Sequence, residues 1–245
     1  VIRILDSKSG VVELDSTGLS KEDIKLIGRL IEKPHGIVLD TGPTGSGKSS
    51  TLYAMVNSIK SPTINIITLE DPIEYEITGV TQVAINEKTG LTFAYGLRSV
   101  LRQDPDVVMV GEIRDNETAT IAIQASLTGH LVLSTLHTND TISSIVRLRD
   151  IGVPSYLIAS SLNGIIAQRL ARKICADCKE PYVPSLSELK NLGLTGKKSY
   201  TFFHGKGCQK CNTTGYKGRV GIFEVMVADA GIKELIRTDA TEGVL

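Results

Sequence analysis

Apolar residues follow two rhythms along this 245-residue chain. Four short runs, at 36–40, 63–69, 106–110 and 131–136, are almost unbroken in Val, Ile and Leu and predict strands buried on both faces of a parallel sheet. Between them, apolar positions recur every three or four residues, which predicts helices over 50–59, 93–103, 116–128 and 141–149. Local punctuation agrees. Ser20 caps a helix whose first turn carries Glu22 and Asp23; Ile24, Ile27, Leu30 and Ile31 give it one apolar face, and Pro34 with Gly36 ends it. Gly129 is the expected C′ residue after 116–128, Asp140 the cap before 141–149, and Pro154 the start of a helix running to about residue 170. Strands alternating with helices predict an α/β fold, a mostly parallel sheet flanked by helices.

The pattern dissolves near residue 169. From there to 221 the chain has four Cys, several Gly, Pro181 and Pro184, and little periodicity. The expected organisation is a remnant of a preceding domain with its linker at 1–19, an α/β core at 20–171, a cysteine-bearing subdomain at 172–221, and a helical segment at 222–245. Residues 1–5 read as a strand entered directly, so a piece is expected to be missing upstream, and the C-terminus is expected to be cut as well.

Bulk composition narrows the function classes. Lys and Arg number 27 against 27 Asp and Glu, which argues against a general nucleic-acid surface. Aromatics are 4% with no Trp, too few for base-stacking platforms. No apolar run reaches the ~18 residues of a membrane span, and no signal peptide is visible.

Between the first strand and its helix stands Gly42-Pro43-Thr44-Gly45-Ser46-Gly47-Lys48-Ser49-Ser50, which fits G-x-x-x-x-G-K-[ST], a phosphate-cradling loop. Its glycines let backbone N–H groups turn inward, Lys48 can reach β- and γ-phosphates, and the Ser49 hydroxyl is placed to ligate Mg²⁺. A helix N-terminus then faces the anion. The nucleotide is read as ATP because Asn-Lys-x-Asp, the guanine-reading signature, is missing.

Hydrolysis also needs a carboxylate at a neighbouring strand exit. Glu112 supplies one: Gly111 stands where such strands usually end in Asp, so the magnesium contact is expected through water. Glu70, Asp71 and Glu74 follow another strand, and three carboxylates packed there require a nearby cation. The plain alternatives are a helix-terminal acid for Glu112 and an acidic turn shaped by Pro72. His130 and His137 bracket the strand at 131–136, with His137 at its carboxyl end where it can sense the γ-phosphate and His130 at the opposite end. Arg98 and Arg102 share a helix face, Arg114 follows Glu112, and Arg3 lies in the first run; each is a candidate for stabilising transition-state charge or a solvated surface arginine.

Cys175-x2-Cys178, 29 residues, then Cys208-x2-Cys211 accounts for every Cys. Two such knuckles suit a closed tetrahedral zinc site that builds structure rather than catalyses, although the spacer exceeds the common ~15–20 residues. A redox dithiol is the alternative, and a nucleic-acid-reading ribbon is permitted by Arg169, Arg172, Lys173 and Lys179.

Taken together, the phosphate loop, Ile67-Thr-Leu-Glu-Asp-Pro-Ile-Glu-Tyr75, Gly96-Leu-Arg-Ser-Val-Leu-Arg-Gln-Asp-Pro-Asp106, Gly111-Glu-Ile-Arg-Asp115 and Thr128-Gly-His-Leu-Val-Leu-Ser-Thr-Leu-His-Thr-Asn-Asp140 resemble the secretion ATPase superfamily, in particular the type II secretion and type IV pilus assembly ATPases. The likeness covers nearly the whole chain, and the tetracysteine favours assembly over retraction enzymes. It implies a RecA-like P-loop core acting in a homohexameric ring. Such a ring is cytoplasmic and peripheral at the inner membrane, coupled to platform and adaptor proteins. It implies ATP, Mg²⁺ and Zn²⁺, with Glu112 as catalytic glutamate, the four cysteines as zinc ligands, and Arg3 as a remnant of a domain that supplies arginines to the cleft. Two departures stand out: Ser49-Ser50 replaces commoner threonines, and most of the preceding domain is absent, so weak hydrolysis is expected from this piece. A nucleic-acid motor on the same core and a non-catalytic nucleotide-gated scaffold are the competing readings.

Overall fold

The computed structural model describes residues 13–194 and 200–245, so Arg3 and the run at 1–5 lie outside the described residues. The chain forms two compact units, one reaching Arg169 and resuming at Gly221, the other Leu170–Val220.

The larger unit is built on a seven-stranded sheet in the order β3-β2-β4-β5-β1-β6-β9. Its strands are β1 (Gly36–Thr41), β2 (Ile66–Glu70), β3 (Thr81–Ala84), β4 (Val107–Val110), β5 (Leu131–Leu136), β6 (Leu162–Ile174) and β9 (Tyr216–Val227), the last two continuing into the smaller unit. Pairing is parallel between β1 and β5, β1 and β6, β2 and β3, β2 and β4, and β4 and β5. Helices α1 (Lys21–Ile31), α2 (Lys48–Ile59), α3 (Phe93–Val100), α4 (Asn116–Leu127), α5 (Thr141–Asp150), α6 (Ser155–Ser161) and α8 (Ala230–Arg237) complete it. Every residue of β1, β2, β4 and β5 is buried, as their unbroken apolar runs require. Alternate residues feed two cores: Ile37 and Leu39 pack with α3, α4 and α6, while Val38 packs with Leu30 of α1 and Leu52 and Met55 of α2. Among the described residues no helix is long and apolar enough to cross a membrane.

The expected caps are present. Ser20 and Asp23 form a reciprocal capping box on α1, and the Asp140 carboxylate accepts from the Ser143 amide at 2.7 Å on α5.

Several expected boundaries fail. The strand expected at 63–69 is Ile66–Glu70, because the Asn65 side chain donates to the Gln103 and Asp104 carbonyls and holds the preceding residues in a turn. The helix expected at 93–103 stops at Val100, and Asp104 follows in the left-handed region at φ 49°. The helix expected from Pro154 to about 170 is the largest error: α6 ends at Ser161 and the chain turns into β6. Apolar residues at 158, 162, 165 and 166 suit a helical face equally well, so periodicity could not separate the two states. The free hydrogen-bonding edge of β1 decides it, pairing Ile165 with Leu39 and Ile166 with Asp40. Residues 222–227, read as helical, are strand: Phe223, Val225 and Val227 alternate toward one core, and helix begins only at Ala230.

Gly164 shows how tightly β6 is seated. A Cβ there would sit 2.6 Å from Leu30 Cδ1 and 2.7 Å from the Met226 carbonyl oxygen, so β6 lies against α1 and β9 with no room for a side chain. Gly164→Val is expected to destabilise the larger unit by about 1–3 kcal/mol through overpacking. Urea unfolding measures it, and an unchanged midpoint would show that this seam tolerates expansion.

Candidate active site

Parallel pairing places the carboxyl ends of β2, β4, β5 and β1 side by side along one edge of the sheet. Thr41 is level with Leu136, Val110 with Ser134, and Leu69 with Val110, so the segments leaving these strands emerge together. The phosphate loop leaves β1 here and enters α2 at Lys48, with Gly47 left-handed at φ 96° as the N-cap. Gly42 is demanded twice over: its φ is 149°, and a Cβ would collide with the Gln168 carbonyl and lie 2.7 Å from Ser46 Oγ. Ser46 is buried, whereas Pro43, Thr44, Gly45, Ser49 and Ser50 are exposed.

Lys48 is 8% exposed, and its Nζ donates to the carbonyls of Gly42 at 2.7 Å and Pro43 at 3.2 Å. The ammonium thus folds back on the loop it serves. Burial pulls its pKa down, opposed by the negative charges of Asp40 and Glu112.

Glu112 is pinned from both sides. The Gly111 amide donates to Leu69 O at 2.8 Å and the Ile113 amide to Thr135 O at 3.0 Å, tying the segment to the exits of β2 and β5. Its side chain is 13% exposed; one oxygen accepts from Arg114 Nη2 at 2.5 Å and the other lies 3.1 Å from His137 Nε2. The hydrogen bond to Glu112 raises the pKa of Arg114. The structure therefore brings Lys48, Glu112, Arg114 and His137 to one locus.

The acidic trio at 70–74 divides by burial, with Glu70 buried, Asp71 exposed and Glu74 between them. Glu70 turns into the core, where it accepts from Tyr53 OH, from Thr68 Oγ1 at 2.5 Å and from Gln82 Nε2 at 3.0 Å. These three donors satisfy it. Tyr53 also edges against Tyr75 at 4.5 Å, and burial with its Glu70 bond pushes its phenol pKa upward. Glu70 thus joins α2 to the exit of β2, Asp71 is exposed, and Glu74 accompanies the same junction, donating its amide to Tyr53 OH at 3.2 Å.

The remaining candidates lie elsewhere among the described residues. His130 sits at the amino end of β5, its Nδ1 3.0 Å from the Ala125 carbonyl, where it finishes α4. Arg98 pairs with Glu117 at 2.7 Å, and with Arg102 it lines an open cleft between α3 and α4 to which the phosphate loop contributes no residue.

Two buried residues beside the loop escaped the sequence reading. Gln168 of β6 donates to Ser46 O at 2.7 Å and accepts from Thr51 Oγ1 at 2.7 Å, bracing loop and helix. Its segment was read as helix, so nothing pointed it at the loop. Asp40, the penultimate residue of β1, is 0% exposed, and among the described residues neither carboxylate oxygen has a hydrogen-bond partner. A charge inside an apolar run was the available signal.

In the smaller unit, β7 (Lys179–Tyr182) pairs antiparallel with β8 (Phe202–Gly205), with α7 (Leu186–Asn191) between them in sequence. The four cysteine sulfurs lie within 4.8 Å of one another. Cys175–Cys208 and Cys178–Cys211 are 3.9 Å apart and Cys208–Cys211 3.7 Å. Four Zn–S bonds of about 2.3 Å in a tetrahedron would set edges of about 3.8 Å, so the spacing fits zinc. Backbone amides point at the sulfurs as thiolates require: Cys208 and Gly215 donate to Cys211 Sγ at 3.2 and 3.3 Å, and Gly207 to Cys178 Sγ at 3.3 Å. The Cys208 amide, with that of Gly215, draws the Cys211 thiol down to about 6.

A family model described as type II/IV secretion system protein matches residues 1–245. The chain is 52% identical over 242 residues to the type II secretion system protein E of Pseudomonas aeruginosa, and equally to the type II secretion system ATPase E of Vibrio cholerae, covering 99% of this chain and 48% of each relative. It therefore spans about half the length of the curated relatives it matches. Among solved structures it is similar to the pilus retraction motor PilT with bound ADP, at a TM-score of 0.72 and 33% identity over 98% of this chain and 60% of that one. It is also similar to the Legionella pneumophila ATPase DotB, at a TM-score of 0.65 and 26% identity over 95% and 55% of the two chains. Matched over its whole length by that model and 52% identical to such relatives, this chain belongs to the type II/IV secretion system protein family.

Proposed function

We propose that this chain is the ATP-hydrolysing motor portion of a type II secretion machine. The observation that carries the reading is the convergence of Lys48 and Glu112 at the exits of β1 and β4, the two strands that flank β5, each held by backbone hydrogen bonds. Identity of 52% to type II secretion proteins, against 33% to a pilus retraction motor, favours secretion over pilus retraction.

In this reading the loop amides and the α2 N-terminus bind the phosphates. Lys48 exchanges the Gly42 and Pro43 carbonyls for β- and γ-phosphate oxygens. Ser49 holds magnesium, which supplies charge neutralisation to the triphosphate when bound. Glu112 orients the attacking water and takes its proton, once Arg114 and His137 yield their places on its carboxylate. Arg114 then stabilises developing charge, and His137 reports the occupant of the γ-phosphate position to β5. The active form is a homohexamer on the cytoplasmic side of the inner membrane, bound to platform and adaptor proteins. Zinc held by Cys175, Cys178, Cys208 and Cys211 shapes the smaller unit.

Lys48→Ala is expected to weaken Mg-ATP binding at least about 100-fold, while Glu112→Gln keeps binding and loses about 100-fold or more in turnover. Turnover unchanged in Glu112→Gln would establish a nucleotide-gated scaffold instead. Turnover per chain should rise cooperatively with protein concentration, and a flat profile would remove the ring. DNA-stimulated turnover that falls steeply with salt would point to a nucleic-acid motor.

One zinc per chain is expected by metal analysis. Its removal by chelator should expose 170–220 to protease, because such sites contribute folding energy on the order of 10 kcal/mol. Melting that is unchanged after verified metal loss would defeat the zinc assignment.

A further inference from the structure

Asp40 violates the chemistry of the strand that holds it. The other residues of β1 satisfy burial with apolar side chains or, at Thr41, with hydrogen bonds to Leu136 O and Thr138. Asp40 does neither: it is wholly buried, and among the described residues Oδ1 and Oδ2 are both without a hydrogen-bond partner. The adjacent Thr41 amide eases its ionisation slightly without reaching hydrogen-bond geometry. An uncompensated carboxylate inside a protein is costly enough that the group takes up a proton unless a cation stands close.

Among the described residues, the charge that acts on it is Lys48, at the start of the helix packed over β1. No other described charged side chain acts on it: on α1, which also covers β1, Lys21, Glu22, Lys25 and Arg29 are exposed and Asp23 is bonded to Ser20, and on α3 and α6 Tyr95 and Tyr156 are exposed. The neighbouring strand β5 has no ionisable side chain, β6 within this unit has only Arg169 at its end, and α4 has only Glu117, which pairs with Arg98. On α2 the other titratable group, Tyr53, is bonded to Glu70. Glu112 acts on Lys48 from the β4 exit.

We propose that Asp40 is the resting counter-charge of Lys48, and that phosphate binding to the loop is coupled to uptake of one proton by its carboxyl. This rests on the reading of the loop as a nucleotide-phosphate site. With its Nζ on the Gly42 and Pro43 carbonyls, the Lys48 ammonium supports the Asp40 anion. When phosphate oxygens take the ammonium, they add negative charge on the far side of Lys48 and withdraw its support from Asp40. The carboxylate then accepts a proton from solvent and becomes a neutral acid, and charge behind the loop is balanced again. Burial, which already raises the Asp40 pKa, sets the direction of the exchange. Asp40 is a positioning residue: it touches Lys48's charge, not the nucleotide. The consequence is a loop that releases phosphate more readily as pH rises.

The test is calorimetric titration of Mg-ADP into the full chain, in buffers of different ionisation enthalpy, between about pH 6 and pH 9. Wild type should take up more protons than Asp40→Asn, the difference approaching one within the window. There its dissociation constant should rise up to about tenfold more per pH unit than that of the variant. The comparison cancels protons carried by the ligand itself. Asp40→Val, an apolar side chain suited to a buried strand, should match Asp40→Asn and stands in for it if the amide variant fails to fold. Equal proton uptake and parallel pH profiles in all three proteins would overturn the coupling while leaving the nucleotide reading intact. No binding of Mg-ADP by wild type would overturn both.

Discussion

Burial of β1 on both faces and along both edges is the constraint from which the rest follows. Each of its positions is covered, by α2 on one side, by α4 on the other, and by β5 and β6 within the sheet. A strand so enclosed has one free end, and the phosphate loop occupies it. Because its neighbours run parallel, their exits open on the same edge, and chemistry scattered in sequence from Gly42 to His137 becomes contiguous.

The site is held by backbone more than by side chains. Glu112 is aimed by amides on either side of it, bonded to the exits of two neighbouring strands, and Lys48 is parked on loop carbonyls. Its side-chain partners, Arg114 and His137, are 62% and 48% exposed and can leave without disturbing the frame. The interior bonds of Gln168 and Glu70, by contrast, tie the loop and its helix to the sheet. A rigid floor with movable partners above it is what a site that cycles between ligand states requires.

The smaller unit solves a different problem. Among the described residues of Leu170–Val220, two short strands, a short helix and the ends of β6 and β9 bury few apolar side chains. Four sulfurs drawn together, with amides already pointed at two of them, offer a folding contribution that its apolar surface does not.

What the sequence determined by itself was whatever local chemistry dictates: the buried runs of β1, β4 and β5, the caps at Ser20 and Asp140, the phosphate loop, and the paired knuckles. It also carried Glu112 and His137 as strand-exit residues, since the end of an apolar run is visible in one dimension. Tertiary structure alone decided the rest. Residues 162–166 could face a core as helix or strand, and the open edge of β1 chose strand, which in turn delivered Gln168 to the loop. Glu70 looks like part of an acidic cluster until Tyr53, Thr68 and Gln82 are seen to surround it. Asp40 is legible as an anomaly in its strand, but that it lies unpaired beside Lys48 depends on how α2 packs. Periodicity records which faces are apolar; which surface covers each face, and which polar atoms meet there, is set by long-range pairing.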